Sequence, residues 1–245
     1  MTDKLLPIIV AGALAVIATP AVAQTGVYGE LRGGVVSASN VDITYYDVPG
    51  TFGGNGPAND TAALRARAGS ALSYGGALGY DFGPVRTDLE FDYSRATINA
   101  LTIASINGAG APSAAQTAGV CGFLDFDSCS VSGNTLNISG PRIRRMSALA
   151  NVWFDIPAGK TITPYVGGGL GVAGYEMDGE GKARFGWQIG AGAAVALSRK
   201  LALTIDFRHR QISGANFDDG SNGAYGMMIG KVKTNTFGAG LRFRF

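Results

Sequence analysis

Apolar and polar residues alternate along several short segments of the chain. In residues 85–94 the odd positions are mostly apolar, and residues 201–208 and 237–245 repeat the alternation. The even positions of the first segment are polar: Arg86, Asp88, Glu90, Asp92 and Ser94. Because successive side chains of a β-strand point to opposite faces, this period of two predicts strands with one apolar and one polar face.

Five weaker segments bring the number of predicted strands to eight. They comprise residues 27–36, 71–82, 144–155, 163–175 and 184–197. The connections alternate in length along the chain. Short turns occupy residues 81–84, 156–160 and 198–200, whereas loops, most of them long, occupy residues 38–68, 97–142, 177–182 and 213–231. This alternation predicts antiparallel neighbours with short turns at one end and loops at the other.

The first residues predict a secretory signal peptide. Lys4 precedes an apolar run over residues 5–18, and a small-x-small sequence ends at Ala23. We expect cleavage between Ala23 and Gln24, so that residues 1–23 are the signal peptide and residues 24–245 form the mature domain. The alternative is a membrane anchor, but the run is shorter than the roughly 20 residues that a spanning helix needs.

Composition excludes several classes of function. Charged residues make up 16% of the 245 residues, and 38 are glycine. The 20 basic and 18 acidic residues leave no basic excess for a nucleic-acid partner. The chain has one histidine and two cysteines, too few for a multi-histidine or four-cysteine zinc site. We therefore expect no cofactor, no metal site and no nucleic-acid partner.

An even number of strands and a balanced polar face favour a membrane barrel. In lipid every backbone polar group must be paired within the protein, so a sheet has to close on itself. The prediction is an all-β fold, an eight-stranded antiparallel transmembrane β-barrel. The alternative, a soluble sandwich, shares the alternation but would expose its polar face to water. In the barrel the polar face forms a charge network in the lumen: Glu30, Arg32, Arg86, Asp88, Glu90, Asp92, Asp206, Arg208, Arg242 and Arg244.

Three segments carry a resemblance to a known family. Residues 163–171 read TPYVGGGLG, and residues 146–155 and 236–245 are further alternating strands. They resemble the OmpA-like, opacity-type small outer-membrane barrels of Gram-negative bacteria, which are porin-family surface proteins. The resemblance implies an outer-membrane location with lipid and lipopolysaccharide as neighbours. It also implies that Phe243 and Phe245 belong to a terminal signal for the outer-membrane insertion machinery.

Other motifs favour structural roles. Residues 169–174 spell GxGxxG, but no helix follows, so dinucleotide binding is not expected. Asp88, Glu90 and Asp92 share one strand face with arginines nearby, which favours ion pairs over acid–base catalysis. Cys121 and Cys129 lie eight positions apart in a loop of an exported chain, and we expect a disulfide. The alternative of two metal-binding thiols lacks further ligands.

The leading functional hypothesis is a non-enzymatic surface protein that contributes to envelope integrity. In this hypothesis the protein also adheres to a host or neighbouring-cell surface ligand through residues 41–68 and 97–140. The aromatic side chains available for such contacts are Tyr45, Tyr46, Phe52, Phe123 and Phe126. One alternative is a narrow porin for small solutes or ions, lined by Arg32, Arg86, Glu90, Arg208 and Arg242. A second is a lipid A-modifying barrel enzyme that uses His209, the one candidate base; otherwise no catalytic residue is predicted.

Overall fold

The computed structural model describes residues 25–48, 60–123, 128–140, 142–159, 161–177, 180–219 and 225–245. These residues form fourteen β-strands and one helix. The elements are β1 (Gly26–Ala38), β2 (Val41–Asp47), β3 (Asp60–Ala68), β4 (Ala71–Asp81), β5 (Val85–Ile106), α1 (Ala114–Phe123), β6 (Cys129–Ser132), β7 (Thr135–Ile138), β8 (Arg142–Asp155), β9 (Ile162–Met177), β10 (Glu180–Ala196), β11 (Leu201–Ile212), β12 (Ala215–Asp219), β13 (Tyr225–Ile229) and β14 (Val232–Arg244). The signal peptide predicted at residues 1–23, with its cleavage between Ala23 and Gln24, lies outside the described residues.

Eight of these strands form a closed antiparallel ring. Its order is β1, β4, β5, β8, β9, β10, β11 and β14. The first and last strands pair with each other over eleven residues, from Tyr28 opposite Arg244 to Ala38 opposite Thr234. Each of the eight segments predicted from the alternation coincides with a different strand of this ring, and none extends more than one residue beyond it. The prediction of an eight-stranded antiparallel barrel is confirmed.

The barrel is apolar outside and polar inside. On β5, Leu89 and Phe91 are exposed on the outer surface, whereas Arg86 and Glu90 are buried in the lumen. The same division holds on β14, where Phe237 and Phe243 face outward and Arg242 faces inward. A soluble fold would bury the apolar face, so this arrangement fits a barrel whose outer surface is covered by lipid.

Short turns close one end of the barrel. In the connection from β4 to β5, the Phe82 N–H donates to the Val85 carbonyl at 2.9 Å. The Gly83 N–H donates to Asp81 Oδ1 at 2.8 Å. Gly83 has a φ of 103°, a backbone conformation that favours glycine. The first residue of β1 and the last residue of β14 also lie at this end. Here the Phe245 N–H donates to the Val27 carbonyl at 3.1 Å.

The expectation that the long connections are loops is wrong for much of their length. They extend the barrel wall into a second antiparallel sheet with the order β12, β13, β2, β3, β5, β7 and β6. We call β2, β3, β6, β7, β12 and β13, together with the part of β5 after Thr97, the extracellular sheet. Its alternation is hard to detect because small residues such as Ala62 and Ala63 occupy both faces of β3. Two irregularities in the pairing of β3 with β5 interrupt the period further.

The extracellular sheet has its own apolar core. Ile43, Ile98, Ile103 and Leu136 are buried together above the barrel. Helix α1 packs beside β6, and the disulfide between Cys121 and Cys129 joins the two elements, which confirms that prediction. In the described ranges, no helix has the length and apolar character needed to cross a membrane.

The outward face gives a direct test of lipid contact. Leu170, near the middle of β9, is 60% exposed on the outer surface. We expect Leu170→Arg to lower the free energy of unfolding by about 2–4 kcal/mol in lipid vesicles, because a charge then faces hydrocarbon. Urea titration of the refolded protein, followed by tryptophan fluorescence, measures this change.

Val48 provides the control for this substitution. It follows β2 at the end of the extracellular sheet and is 50% exposed. Val48→Arg should change the unfolding free energy by less than about 0.5 kcal/mol, since this position lies outside the membrane. Equal tolerance of both substitutions would contradict a lipid-facing barrel wall.

Candidate functional site

Glu90 occupies the centre of the lumen. It lies on β5 and is fully buried. Oε1 accepts hydrogen bonds from Arg32 at 2.7 Å and from Arg210 at 2.8 Å. Oε2 accepts hydrogen bonds from Gln188 at 2.8 Å, from Asn151 at 3.0 Å and from Arg208. These partners come from four other strands of the ring, β1, β8, β10 and β11, so one carboxylate links most of the barrel wall.

Three further carboxylates share the arginines that surround Glu90. Asp206 accepts from Arg208 Nε at 3.0 Å and from Arg208 Nη2 at 2.9 Å, a two-point contact. Asp92 accepts from Arg210 Nη1 at 2.9 Å. On the other side, Glu30 Oε1 lies 3.8 Å from Arg32 Nη1, and Glu30 Oε2 accepts from Arg242 Nε at 2.9 Å. Charge-assisted bonds of this kind are stronger than neutral ones and fix the side-chain positions.

A second group of ion pairs lies toward the short turns. Arg86 forms a two-point contact with Asp155, at 2.8 Å from both Nε to Oδ2 and Nη2 to Oδ1. Asp88 accepts from the Tyr28 hydroxyl at 2.7 Å and from Trp153 Nε1 at 3.0 Å, and it has no arginine partner among the described residues. At the rim, Arg244 pairs with Asp81 at 3.0 Å.

Aromatic rings fill the space between the charged groups. The Arg86 guanidinium lies 5.6 Å from the Tyr28 ring centroid and 5.0 Å from that of Tyr165. The Arg208 guanidinium lies 4.7 Å from the Trp153 ring, a cation–π arrangement. Glycines on neighbouring strands make room for the rings. A Cβ at Gly79 would lie 2.8 Å from Tyr28 Cζ, and one at Gly192 would lie 2.8 Å from Tyr165 Cζ.

All ten residues predicted for the charge network lie on inward positions, although Arg244 pairs with Asp81 at the rim, apart from the contacts around Glu90 and Arg86. Several members were not predicted. They are Tyr28, Asn151, Trp153, Tyr165, Gln188 and Arg210. Arg210 was detectable, because β11 continues its alternation two residues beyond Arg208. The others lie on strands whose many glycine and alanine residues weaken the alternation.

The side chains of the network are deeply buried in the lumen at this level. Arg86, Glu90 and Gln188 are almost completely inaccessible to water, so protein atoms fill the cross-section around them. An eight-stranded barrel is just wide enough for its own side chains, and here those side chains are paired with one another. Above the network, the interior becomes apolar, with Ala173 and Ile212 of the barrel strands buried against Ile229 of the extracellular sheet.

His209 lies on the outer face of β11, away from the network. Its Nδ1 lies 2.8 Å from Asn235 Oδ1, and its ring centroid lies 5.8 Å from that of Trp187. An amide and an indole next to an imidazole, on the outer surface toward the extracellular end, are typical of the membrane interface. Within the described ranges, no serine hydroxyl or carboxylate is hydrogen-bonded to this imidazole.

The central carboxylate should dominate the stability of the network. Glu90→Gln keeps the shape of the side chain but removes the negative charge that Arg32, Arg208 and Arg210 share. Breaking a buried pair in this way leaves uncompensated charge, and we expect a loss of about 3–5 kcal/mol in unfolding free energy. Urea titration in lipid vesicles measures it.

An exposed ion pair of the same chain serves as the control. Asp42 pairs with Arg65 at 3.0 Å on the outside of the extracellular sheet, and both side chains are largely exposed. Asp42→Asn should change the unfolding free energy by less than about 1 kcal/mol. An equally small effect of Glu90→Gln would contradict a stabilising role for the charge network.

Comparison with known proteins agrees with this architecture. Two solved barrels resemble the chain, each covering 91% of it and 99% of the other chain. The crystal structure of Neisserial surface protein A (NspA) has a TM-score of 0.50 at 15% identity. That of the outer membrane protein OprG from Pseudomonas aeruginosa has a TM-score of 0.51 at 12% identity. At these identities the likeness shows the fold alone.

Sequence comparison covers most of the chain. An uncharacterized protein of Brucella suis biovar 1 (strain 1330) is 28% identical over 207 residues, which cover 71% of this chain and 68% of that protein. Residues 8–245 match the family described as outer membrane protein beta-barrel domain. The chain therefore belongs to this family of outer-membrane β-barrels and is a protein of the Gram-negative outer membrane.

Proposed function

We propose that this protein is a sealed, non-enzymatic barrel that contributes to envelope integrity and displays the extracellular sheet for adhesion. The observation that carries the proposal is the division of the molecule into two parts. The lumen is filled by a charge network centred on Glu90, and the residues that extend beyond the membrane build a separate sheet with its own core.

The filled lumen supports a structural role over transport. The residues expected to line a pore, including Arg32, Arg86 and Arg208, are paired with carboxylates and inaccessible to water. A solute would have to break several charge-assisted hydrogen bonds at once to pass Glu90. The narrow-porin alternative therefore requires a rearrangement of the network.

The extracellular sheet supports a binding role because it presents ordered backbone and side chains outside the membrane. Tyr45 and Tyr46 lie in β2 and are half-buried. Phe123 is the last residue of α1. Phe52 and Phe126, the other aromatic residues expected to take part, lie outside the described residues. A rigid sheet loses little conformational entropy when a partner binds, which favours recognition by this part of the chain.

The environment of His209 supports a non-enzymatic assignment. Hydrolysis of a lipid ester by a histidine base needs a nucleophile that the histidine can deprotonate. His209 is hydrogen-bonded to the Asn235 amide instead. In a strain that expresses the protein, His209→Ala should leave the acylation of lipid A unchanged. A change in acylation would restore the enzyme hypothesis.

Planar-bilayer recording tests the sealed lumen. We expect the refolded chain of residues 24–245 to give no steady single-channel conductance, whereas Glu90→Ala, which opens the centre of the network, should produce measurable steps. Leu170→Ala, on the outer face, is the control and should remain silent. Steady wild-type steps that change on Arg86→Ala would support the narrow porin instead.

Surface binding tests the adhesive role. Cells that express the protein should adhere to host cells or matrix, and replacement of residues 41–68 and 98–140 by short turns should abolish adhesion. The shortened barrel should still restore the detergent resistance of a deletion strain, because the charge network is intact. Unchanged adhesion of the shortened barrel would contradict this assignment.

A further inference from the structure

An apolar chamber lies inside the extracellular end of the barrel, above the charge network. Its volume is about 80 Å³. The walls come from both parts of the molecule, because Val36 and Ile143 belong to barrel strands and Ile43 and Ile229 belong to the extracellular sheet. The chamber therefore exists only where the two sheets meet.

The floor of the chamber contains an arginine without a counterion. Arg145, on β8, lines the chamber and is 8% exposed. Its Nη2 donates to Ser94 Oγ at 2.8 Å, and its Nε has no hydrogen-bond partner. No carboxylate of the described chain lies within ion-pair distance of it, whereas Arg32, Arg208 and Arg210 in the network below each have one.

A second unpaired donor lines the same chamber. Tyr175, on β9, is opposite Arg145 in the strand pairing and is 6% exposed. Its hydroxyl has no hydrogen-bond partner in the described chain. Its ring packs against Phe217 with the centroids 5.9 Å apart, which holds the side chain in place.

Two buried donors and an uncompensated charge beside an apolar space are energetically unfavourable unless a ligand satisfies them. The geometry points to a binding site for a small organic monocarboxylate. Its carboxylate accepts hydrogen bonds from Arg145 and Tyr175, and its aliphatic tail lies among Val36, Ile98 and Ile229. The apolar walls disfavour inorganic phosphate, which has no apolar part to bury.

The chamber volume sets the length of the tail. An apolar protein cavity of about 150 Å³ binds benzene, which has six carbon atoms, so a chamber of about 80 Å³ suits a tail of about three or four carbon atoms. Butyrate and pentanoate are therefore the best matched straight-chain acids. This site does not depend on adhesion, and its failure would leave the proposed function unaffected.

Titration of a series of acids tests the site. Wild-type protein in lipid nanodiscs is titrated by calorimetry with propionate, butyrate, pentanoate, hexanoate and octanoate, and empty nanodiscs provide the background. We expect saturable binding with the highest affinity at butyrate or pentanoate. Pentanamide, which lacks the charge, should bind about tenfold or more weakly, since hydrogen bonds to charged groups are the stronger ones.

Variants of Arg145 and Tyr175 test whether each donor binds the carboxylate. Arg145→Met retains much of the side-chain bulk and should weaken pentanoate binding about tenfold to a hundredfold, and Tyr175→Phe should weaken it several-fold. Arg65→Met removes an exposed arginine of the extracellular sheet and should have no effect. Ile143→Ala enlarges the chamber and should move the optimum toward hexanoate.

The outcomes separate this site from adventitious binding. Affinity that rises steadily to octanoate, or is equal for pentanoate and pentanamide, would indicate partition into lipid and overturn the proposal. So would binding that Arg145→Met leaves unchanged. Heat-dependent gel mobility confirms that each variant is folded. If Arg145→Met does not fold, the chain-length optimum, Tyr175→Phe and Ile143→Ala decide the question.

Discussion

The need to pair every backbone polar group away from lipid determines most of this structure. A sheet in hydrocarbon must close, and closure of eight strands leaves a narrow interior. The alternation of each strand then sends apolar side chains such as Leu170 to the lipid and polar side chains such as Glu90 to the interior. The inverted polarity of the barrel is therefore a consequence of closure in an apolar solvent.

A narrow interior without bulk water imposes a second condition, because buried charges must be satisfied by each other. Glu90 meets this condition by accepting hydrogen bonds from five side chains, and Asp206 and Asp92 compensate two of the same arginines. Such a set is worth more as a unit than as separate pairs. It ties opposite walls of the barrel together.

The interior changes in character at the extracellular end. There the strands continue into a second sheet whose core is aliphatic, and the polar groups that remain inside are no longer fully paired. Arg145 and Tyr175 lie at this boundary, where the charge network ends and the apolar interior begins. The boundary is the part of the interior in which a ligand would gain both hydrogen bonds and apolar contact.

The sequence by itself determined the eight barrel strands, because the alternation of apolar and polar residue types can be read without knowing the tertiary structure. It also identified inward residues on β1, β5, β11 and β14, from Glu30 to Arg244. It did not reveal the extracellular sheet, because alanines on β3 and the irregular pairing with β5 obscure the period. Nor could it show that Gln188, Asn151 and Arg210 converge on Glu90, or that Arg145 has no counterion. Those facts depend on strand register and on distances across the closed ring, which arise only when the tertiary structure forms.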